Sequence, residues 1–452
     1  MRAGILPPLP GALLTDLYEL NMAASYLRRG MAALATFSLY VRDLPPGRGF
    51  LVAAGLEDGI DWLEQFSFEP ADLDYLAHAG FDADAVGAFA SMAFTGDVWA
   101  VPEGTVVLAN EPVLEVTAPI AEAQVVETFL LNQMSYQTAI ASKAARYRIA
   151  AGDRVQLVDF AFRRTHGVDA GMAVARLSAM AGFSGTSNVE AARRYGLALS
   201  GTMAHSYIEA FPSELDAFRA FAADLPGRTT FLVDTYDTAR GVEDAIEVIG
   251  ALGLDADAAI RIDSGDLLSS TVAARAALDA AGLPAVRIVV SGGLDERDIA
   301  RLVAVGAPID AAGVGTRMGV AADAPQVDAV YKLVAYDGRG VAKLSSGKET
   351  LPGAKQVFRG AGLRDVIAGR DEAAPEGSVA LLSPAMLGGR RVRARARLAE
   401  ARGELERGLA SLPPVARDLD APVAPVAAVS PALAAFRDAV YAEARRRHAP
   451  TS

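Results

Sequence analysis

The chain has 452 residues, 52% of them hydrophobic and 22% charged, with a formal net charge of −12; that length holds two or three domains around sizeable cores. An acidic balance gives no general attraction to nucleic acid, so anionic substrates need locally placed arginines and backbone amides. There is no cysteine, which excludes disulfides, thiolate metal sites and a cysteine nucleophile and is compatible with the cytoplasm.

Residues 1–10 have no apolar core of a signal peptide, and no apolar run reaches the ~20 residues of a membrane span, so no membrane partner is expected. Residues 15–27 read as a helix with Thr15 as a candidate N-cap. Residues 37–41 alternate like a strand, and Pro45-Pro46-Gly47-Arg48-Gly49 reads as a turn. Helices are predicted over 59–65 and 70–78, short strands over 98–101, 106–108 and 113–116, and one long helix over 121–150. From Val155 onward, apolar runs at 156–160, 197–199, 230–234, 259–263, 286–290 and 309–312 alternate with helical stretches. Their spacing suits βα units. Sequential parallel strands imply a barrel or a doubly wound sheet. A polar or glycine cluster closes nearly every run, where barrel enzymes carry their chemistry, so a barrel is predicted. Beyond Val320, the runs 332–336 and 341–344 flank Asp337-Gly338-Arg339-Gly340, a hairpin signature. Residues 390–410 read as helical, 413–414 and 421–432 as surface connections, and 433–447 as a last amphipathic helix.

The clusters at the strand ends carry the chemistry. Gly201-Thr202-Met203-Ala204-His205-Ser206 sets one of only four histidines in a loop of small residues. Such an imidazole serves as a nucleophile or acid/base group, or is simply a satisfied core histidine. Asp159 to Gly167 offers Phe160 as a stacking face or as core, and Arg163-Arg164 as an anion fork or a surface pair. Gly182 to Asn188 is a polar glycine loop ahead of a helix, either an N-cap or a pocket wall. Asp234-Thr235-Tyr236-Asp237 offers a carboxylate that could take an imidazole N–H and fix its tautomer; N-capping competes, for Asp237 especially. In Arg261-Ile262-Asp263-Ser264-Gly265-Asp266, alternation puts Arg261 and Asp263 on one face. They form either a buried ion pair, or a cation for an anionic substrate beside a carboxylate for ribose hydroxyls or Mg2+. Ser291-Gly292-Gly293 and Gly313-Val314-Gly315-Thr316 end the last two runs, where barrels often bind phosphate; two tight βα turns are the plain alternative. Together the clusters suit a phosphorylated sugar and an aromatic ring.

These motifs resemble the nicotinate phosphoribosyltransferase family, from Leu14 to about Val440. The resemblance rests on Thr15-Asp16-Leu17-Tyr18-Glu19-Leu20-Asn21-Met22, Phe160 to Gly167, Gly201 to Ser206, Asp234-Thr235-Tyr236, Arg261 to Asp266, Gly313 to Thr316, and Lys343-Leu344-Ser345-Ser346-Gly347-Lys348. It implies an α/β fold: an incomplete TIM-like barrel of the type II phosphoribosyltransferases beside a split mixed α/β domain. The implied domains are 1–150, a barrel over 151–320, and a C-terminal extension over 321–452 that completes the first. It also implies a homodimer with shared active sites. The implied reaction joins nicotinate to phosphoribosyl pyrophosphate (PRPP), giving nicotinate mononucleotide and pyrophosphate, with ATP as co-substrate and Mg2+ required.

By the same resemblance, His205 is the residue phosphorylated by ATP and Asp234 its orienting carboxylate. Tyr18, from the partner subunit, and Phe160 sandwich the nicotinate ring. Thr202 and Arg261 contact nicotinate, and Ser187 favours it over nicotinamide, whose enzymes carry an aspartate there. Arg163, Asp263, Ser264, Gly292, Gly293, Gly313, Gly315 and Thr316 hold PRPP. Ala161 and Thr165 depart slightly from the family's usual glycine and alanine. The alternatives are a nicotinamide or quinolinate phosphoribosyltransferase, or a silent scaffold homologue.

Overall fold

The computed structural model describes residues 11–254, 258–345 and 350–447. The 1–10 segment and the stretch Ser346-Gly347-Lys348 of the last motif lie outside the described residues. The chain forms two compact units, one from the residues up to Ser142 together with those from Gln326 onward, the other Lys143–Pro325. The helix Glu127–Ala151 runs through the first boundary.

Among the described residues, the first unit holds a seven-stranded sheet. Its order is Arg339–Gly340, Ala329–Tyr336, Leu34–Val41, Pro112–Pro119, Asp97–Ala100, Ser383–Leu387, Arg390–Arg391. Neighbours run antiparallel, so strands from both ends of the sequence share one sheet. Leu34–Val41 is buried at every position after the first, and Phe37 stacks on Tyr331 at 4.7 Å.

Several elements differ from the sequence pattern. The run predicted as one helix over 121–150 divides into Ile120–Val125 and Glu127–Ala151. The hairpin turn is Asp337-Gly338, both with positive φ (51° and 71°), as a two-residue loop that matches strand twist requires. Its second arm is only Arg339–Gly340, not 341–344. Gly340 there packs against Phe436, 2.7 Å from where a Cβ would stand, so the helix Pro431–Arg447 covers that edge. Residues 390–410 are helical only from Leu398. Gly388-Gly389 turn the chain so that Arg390–Arg391 pairs as a strand. Arg391 then meets Glu57, Asp61 and Glu64 along one acidic face, and Arg395 adds pairs to Asp58 and Asp61.

The second unit, again among the described residues, has a six-stranded parallel sheet. Its order is Gly185–Thr186, Gln156–Asp159, Ala311–Val314, Arg287–Val290, Ala259–Ile262, Thr230–Leu232. Leu199 extends it by a single parallel bridge to Thr186. The last strand thus pairs with the first, Gln156–Asp159, and the sheet curls into a parallel half-barrel of mixed α/β architecture, as predicted. It stays open between Leu199 and Thr230–Leu232, so the His205 loop leaves the sheet at the gap. The run 197–199 is a bridge rather than a strand, because Leu199 sits at that open edge, 53% exposed. The last strand starts at Ala311, two residues beyond the predicted start, and the carboxylate of Asp310 accepts from the Ile288 N–H at 2.7 Å. The loop 182–188 contains the strand Gly185–Thr186.

Helices follow the strands and supply the outer layer. Ile208, Phe218, Phe231, Val248, Ile260 and Leu278 belong to one buried cluster between helices and sheet. Burial of each such side chain stabilises by about 1.5–3 kcal/mol, which fixes the strand ends from which the polar residues project.

Candidate active site

Arg261 occupies the strand Ala259–Ile262, and Asp263 follows two residues later, so the pleat turns both to one side. The guanidinium of Arg261 is held on every nitrogen. Nε donates to Ser291 Oγ at 2.7 Å, Nη1 to Thr202 Oγ1 at 3.0 Å and to the Met203 carbonyl at 3.4 Å, and Nη2 to Asp263 Oδ1 at 2.6 Å. The Ser291 hydroxyl also donates to Asp263 Oδ1. Four acceptors face five N–H donors, leaving one N–H free among the described residues. The Arg261 Cζ lies 5.5 Å from the centre of the Phe160 ring, within cation–π range. The pair is dry yet reachable, with side-chain exposures of 11% and 29%. Burial pushes the Asp263 carboxyl up, but the Ser291 hydrogen bond and the Arg261 charge outweigh it and hold the group below its usual range. Of the two readings left open by the sequence, the structure shows the ion pair, with one guanidinium N–H left over among the described residues.

His205 opens the short helix His205–Glu209. Its Nδ1 is 3.1 Å from Thr235 Oγ1. The expected orienting carboxylate, Asp234, is engaged elsewhere. Its Oδ2 accepts from the Asp263 N–H at 2.9 Å and from Ser264 Oγ at 2.6 Å, and its buried Oδ1 has no hydrogen-bond partner among the described residues. In the bend after the strand Thr230–Leu232, Thr235 meets the imidazole while Asp234 clamps the turn after the next strand. Asp237 caps the helix Thr238–Leu252 through the Arg240 N–H at 2.9 Å. Glu214 is buried nearby; burial first, then the charges of Asp244, Asp234 and Asp237, push it up to about 7.

Asp159 shapes the turn that presents Phe160. It is 1% exposed, and its two oxygens accept from the Ala161 N–H at 2.8 Å and the Thr186 hydroxyl at 2.7 Å. The chain then bends into the 3-10 turn Phe162–Arg164, where Arg163 is exposed. No described residue accepts from Arg163. Ser187 follows the strand Gly185–Thr186, half-buried, its N–H donating to the Asp159 carbonyl at 2.8 Å.

The glycines divide into two kinds. Gly292 has φ 103°, and a Cβ there would stand 1.9 Å from the Asp263 carbonyl, so only glycine lets this loop press on the backbone carrying Asp263. Gly293 beside it faces open space. Gly313 differs from expectation. It is buried inside a strand, where a Cβ would stand 2.3 Å from Phe160 Cε2; its missing side chain makes room for the ring rather than for a phosphate. Gly315 follows that strand, and the exposed Thr316 starts a four-residue helix.

Sequence reading singled out the segments holding Thr235 and Ser291 but not these two residues, and it gave Asp159 and Glu214 no role. Their polar or acidic side chains at strand ends and, for Glu214, a helix start were the available signal; their partners lie in distant segments. Tyr18 lies in the first unit, on the helix Leu17–Arg28, 48% exposed. Burial and the neighbouring carboxylates Glu127 and Glu19, to which it is hydrogen-bonded, push its phenol well above the usual range. Among the described residues, no group of three or more His, Cys, Asp or Glu converges as a metal site. No described helix is long and apolar enough to cross a membrane.

An open parallel α/β barrel with these groups at its strand ends is the architecture of the type II phosphoribosyltransferases. Residues 13–135 match the nicotinate phosphoribosyltransferase N-terminal domain, and residues 155–350 match the nicotinate phosphoribosyltransferase family. The chain is 51% identical over 417 residues to a nicotinate phosphoribosyltransferase of Mycobacterium tuberculosis, covering 91% of this chain and 89% of that protein. It is 45% identical over 358 residues to the nicotinate phosphoribosyltransferase of Bacillus subtilis, covering 77% and 73% respectively. The crystal structure of human nicotinic acid phosphoribosyltransferase matches with a TM-score of 0.81 at 28% identity, over 95% of this chain and 100% of that one. The chain belongs to the nicotinate phosphoribosyltransferase family, enzymes of the transferase class.

Proposed function

We propose that this chain transfers the phosphoribosyl group of PRPP to nicotinate, releasing nicotinate mononucleotide and pyrophosphate for NAD salvage. The observation that carries the reading is the Arg261 guanidinium, locked by Ser291, Thr202 and Asp263 beside the Phe160 ring. The nicotinate ring lies on Phe160, and its carboxylate takes the free Arg261 N–H and the Thr202 hydroxyl. A serine at 187 leaves that carboxylate unopposed. The ring nitrogen attacks C1 of the ribose, the C1–O bond breaks, and its electron pair leaves on pyrophosphate. Asp263, kept ionised, faces the positive charge that grows on the sugar. Gly292, Gly293, Gly315, Thr316, Arg163 and Ser264 receive the phosphates and ribose; Gly313 supports Phe160.

The donor set fits Mg2+ carried chiefly by substrate phosphates, since such sites use one or two carboxylates plus phosphate oxygens. Asp263 is the carboxylate in place for it, and the ion when bound supplies charge neutralisation on the pyrophosphate. ATP coupling follows from His205. In the tautomer whose Nδ1–H donates to Thr235 Oγ1, Nε2 holds the lone pair. It attacks the γ-phosphorus of ATP, the bond to ADP breaks, and a phosphohistidine forms. A cytoplasmic homodimer, with Tyr18 closing the partner's site, completes the reading.

The test is product formation from nicotinate and PRPP, with and without ATP, alongside nicotinamide and quinolinate. No nicotinate mononucleotide at saturating substrates overturns the reading. Label from γ-³²P-ATP should appear in the wild type and not in His205→Ala; equal labelling overturns the phosphohistidine.

A further inference from the structure

The loop from Ser291 to Glu296 is fastened at both ends. At its start, Ser291 is 2% exposed and tied to Arg261 and Asp263. At its end, Glu296 has a side chain with 0% exposure. Lys143 Nζ reaches Glu296 Oε2 at 2.5 Å, and Arg146 Nε reaches Oε1 at 2.9 Å, both cations being 2% exposed. Lys143 is shared with Asp323 at 2.7 Å. One residue further along the helix, the Tyr147 hydroxyl donates to the Leu294 carbonyl at 2.9 Å. Residues 143, 146 and 147 stand at i, i+3 and i+4, one helix face. Between the fastened ends only Gly292 and Gly293 are exposed.

A buried ion cluster of this kind is a poor way to gain stability, because apolar side chains of similar volume do as well or better. What it supplies is one fixed geometry. Arg317, next to Thr316, extends the arrangement to the other loop by pairing with Asp295 Oδ2 at 2.7 Å.

We infer that Lys143, Arg146 and Tyr147 are positioning residues that hold the Ser291 to Glu296 loop in the shape that receives PRPP. They touch no substrate; they act through Glu296 and the Leu294 carbonyl. The inference rests on the proposed reaction, and it adds residues that hold the phosphate loop from behind.

The experiment compares Tyr147→Phe and Glu296→Gln with the wild type in steady-state kinetics and in direct calorimetric binding of PRPP. The expected result is a PRPP KM and Kd raised about threefold to tenfold for Tyr147→Phe, the size of one lost hydrogen bond, and more for Glu296→Gln. Nicotinate KM, and kcat at saturating PRPP, should stay within about twofold, since no transition-state contact is removed. Unchanged PRPP affinity in a folded Tyr147→Phe protein overturns the inference. So does a parallel change in nicotinate KM and kcat, which marks a general loss of structure. Should Glu296→Gln not fold, Tyr147→Phe decides alone. A wild type that binds PRPP but makes no product removes the proposed reaction and leaves the loop inference to the binding data. A wild type that binds no PRPP overturns both.

Discussion

The Glu115 cluster of the first unit and the Arg261 cluster of the second use the same kinds of group, and the access of water to the carboxylate separates them. Glu115 has 0% side-chain exposure and faces Lys355 at 3.2 Å and Arg370. It also accepts from Ser38 and from the Lys355 backbone N–H. Arg370, 15% exposed, lies over the Trp99 ring at 4.6 Å, and the carboxylate itself is closed off from water. Burial pulls the Lys355 ammonium down despite its partner. Arg261 and Asp263 keep 11% and 29% exposure, and a donor remains free. A sealed cluster fixes strands to one another. A half-open one holds a charge ready for a ligand at little cost in reorganisation.

The sharpest way to break this comparison is on the sealed side. Glu115→Ala strands the buried Lys355 and removes a partner of Arg370, and should lower the unfolding free energy by about 3–5 kcal/mol in guanidinium titrations. A loss below about 1 kcal/mol would show that the cluster is not structural. On the open side, Arg261→Lys should lower kcat/KM for nicotinate about 30- to 100-fold, roughly 2–3 kcal/mol, because an ammonium cannot reproduce the planar fork. Its denaturation midpoint should move little; a large shift with intact catalysis would reverse the two roles. Thr235→Val should cut ATP stimulation by about fivefold, near 1 kcal/mol for one hydrogen bond to the imidazole. Asp234→Asn should act instead on PRPP, through the turn at 263–264.

A separate effect is on pH. Glu214 is raised from 4.5 to about 7 by burial and by Asp244, Asp234 and Asp237. Folded protein keeps this proton where unfolded chain has lost it. The stabilising contribution is therefore full below about 4.5 and disappears as pH rises through about 7. Glu214→Gln should flatten the fall in stability between pH 5 and pH 8, measured by urea melts. An unchanged slope would show that Glu214 is ionised throughout.

Much of the second unit was legible in the sequence because its signals are local. Apolar runs of strand length and polar clusters at their ends placed Phe160, Arg261 and Asp263 at one mouth, the resemblance added Thr202, and the structure brings these four together. Alternation within one strand was enough to pair Arg261 with Asp263, two residues apart. The orienting partner of His205 was not legible. Thr235 and Asp234 are adjacent, both can bond an imidazole, and no local pattern says which one faces a loop thirty residues away. Gly313 misled for the same reason, since a glycine that admits a ring and a glycine that admits a phosphate read alike.

The sequence by itself determined the alternating βα units and their polar strand ends, because hydrophobic period and glycine-rich turns are written in consecutive residues; the family and the incomplete barrel came from the resemblance of its motifs. Only the tertiary structure decided which hydroxyl or carboxylate meets which cation. Those choices depend on side-chain directions fixed by packing between distant segments, as when Thr202 meets Arg261 across 59 residues of chain.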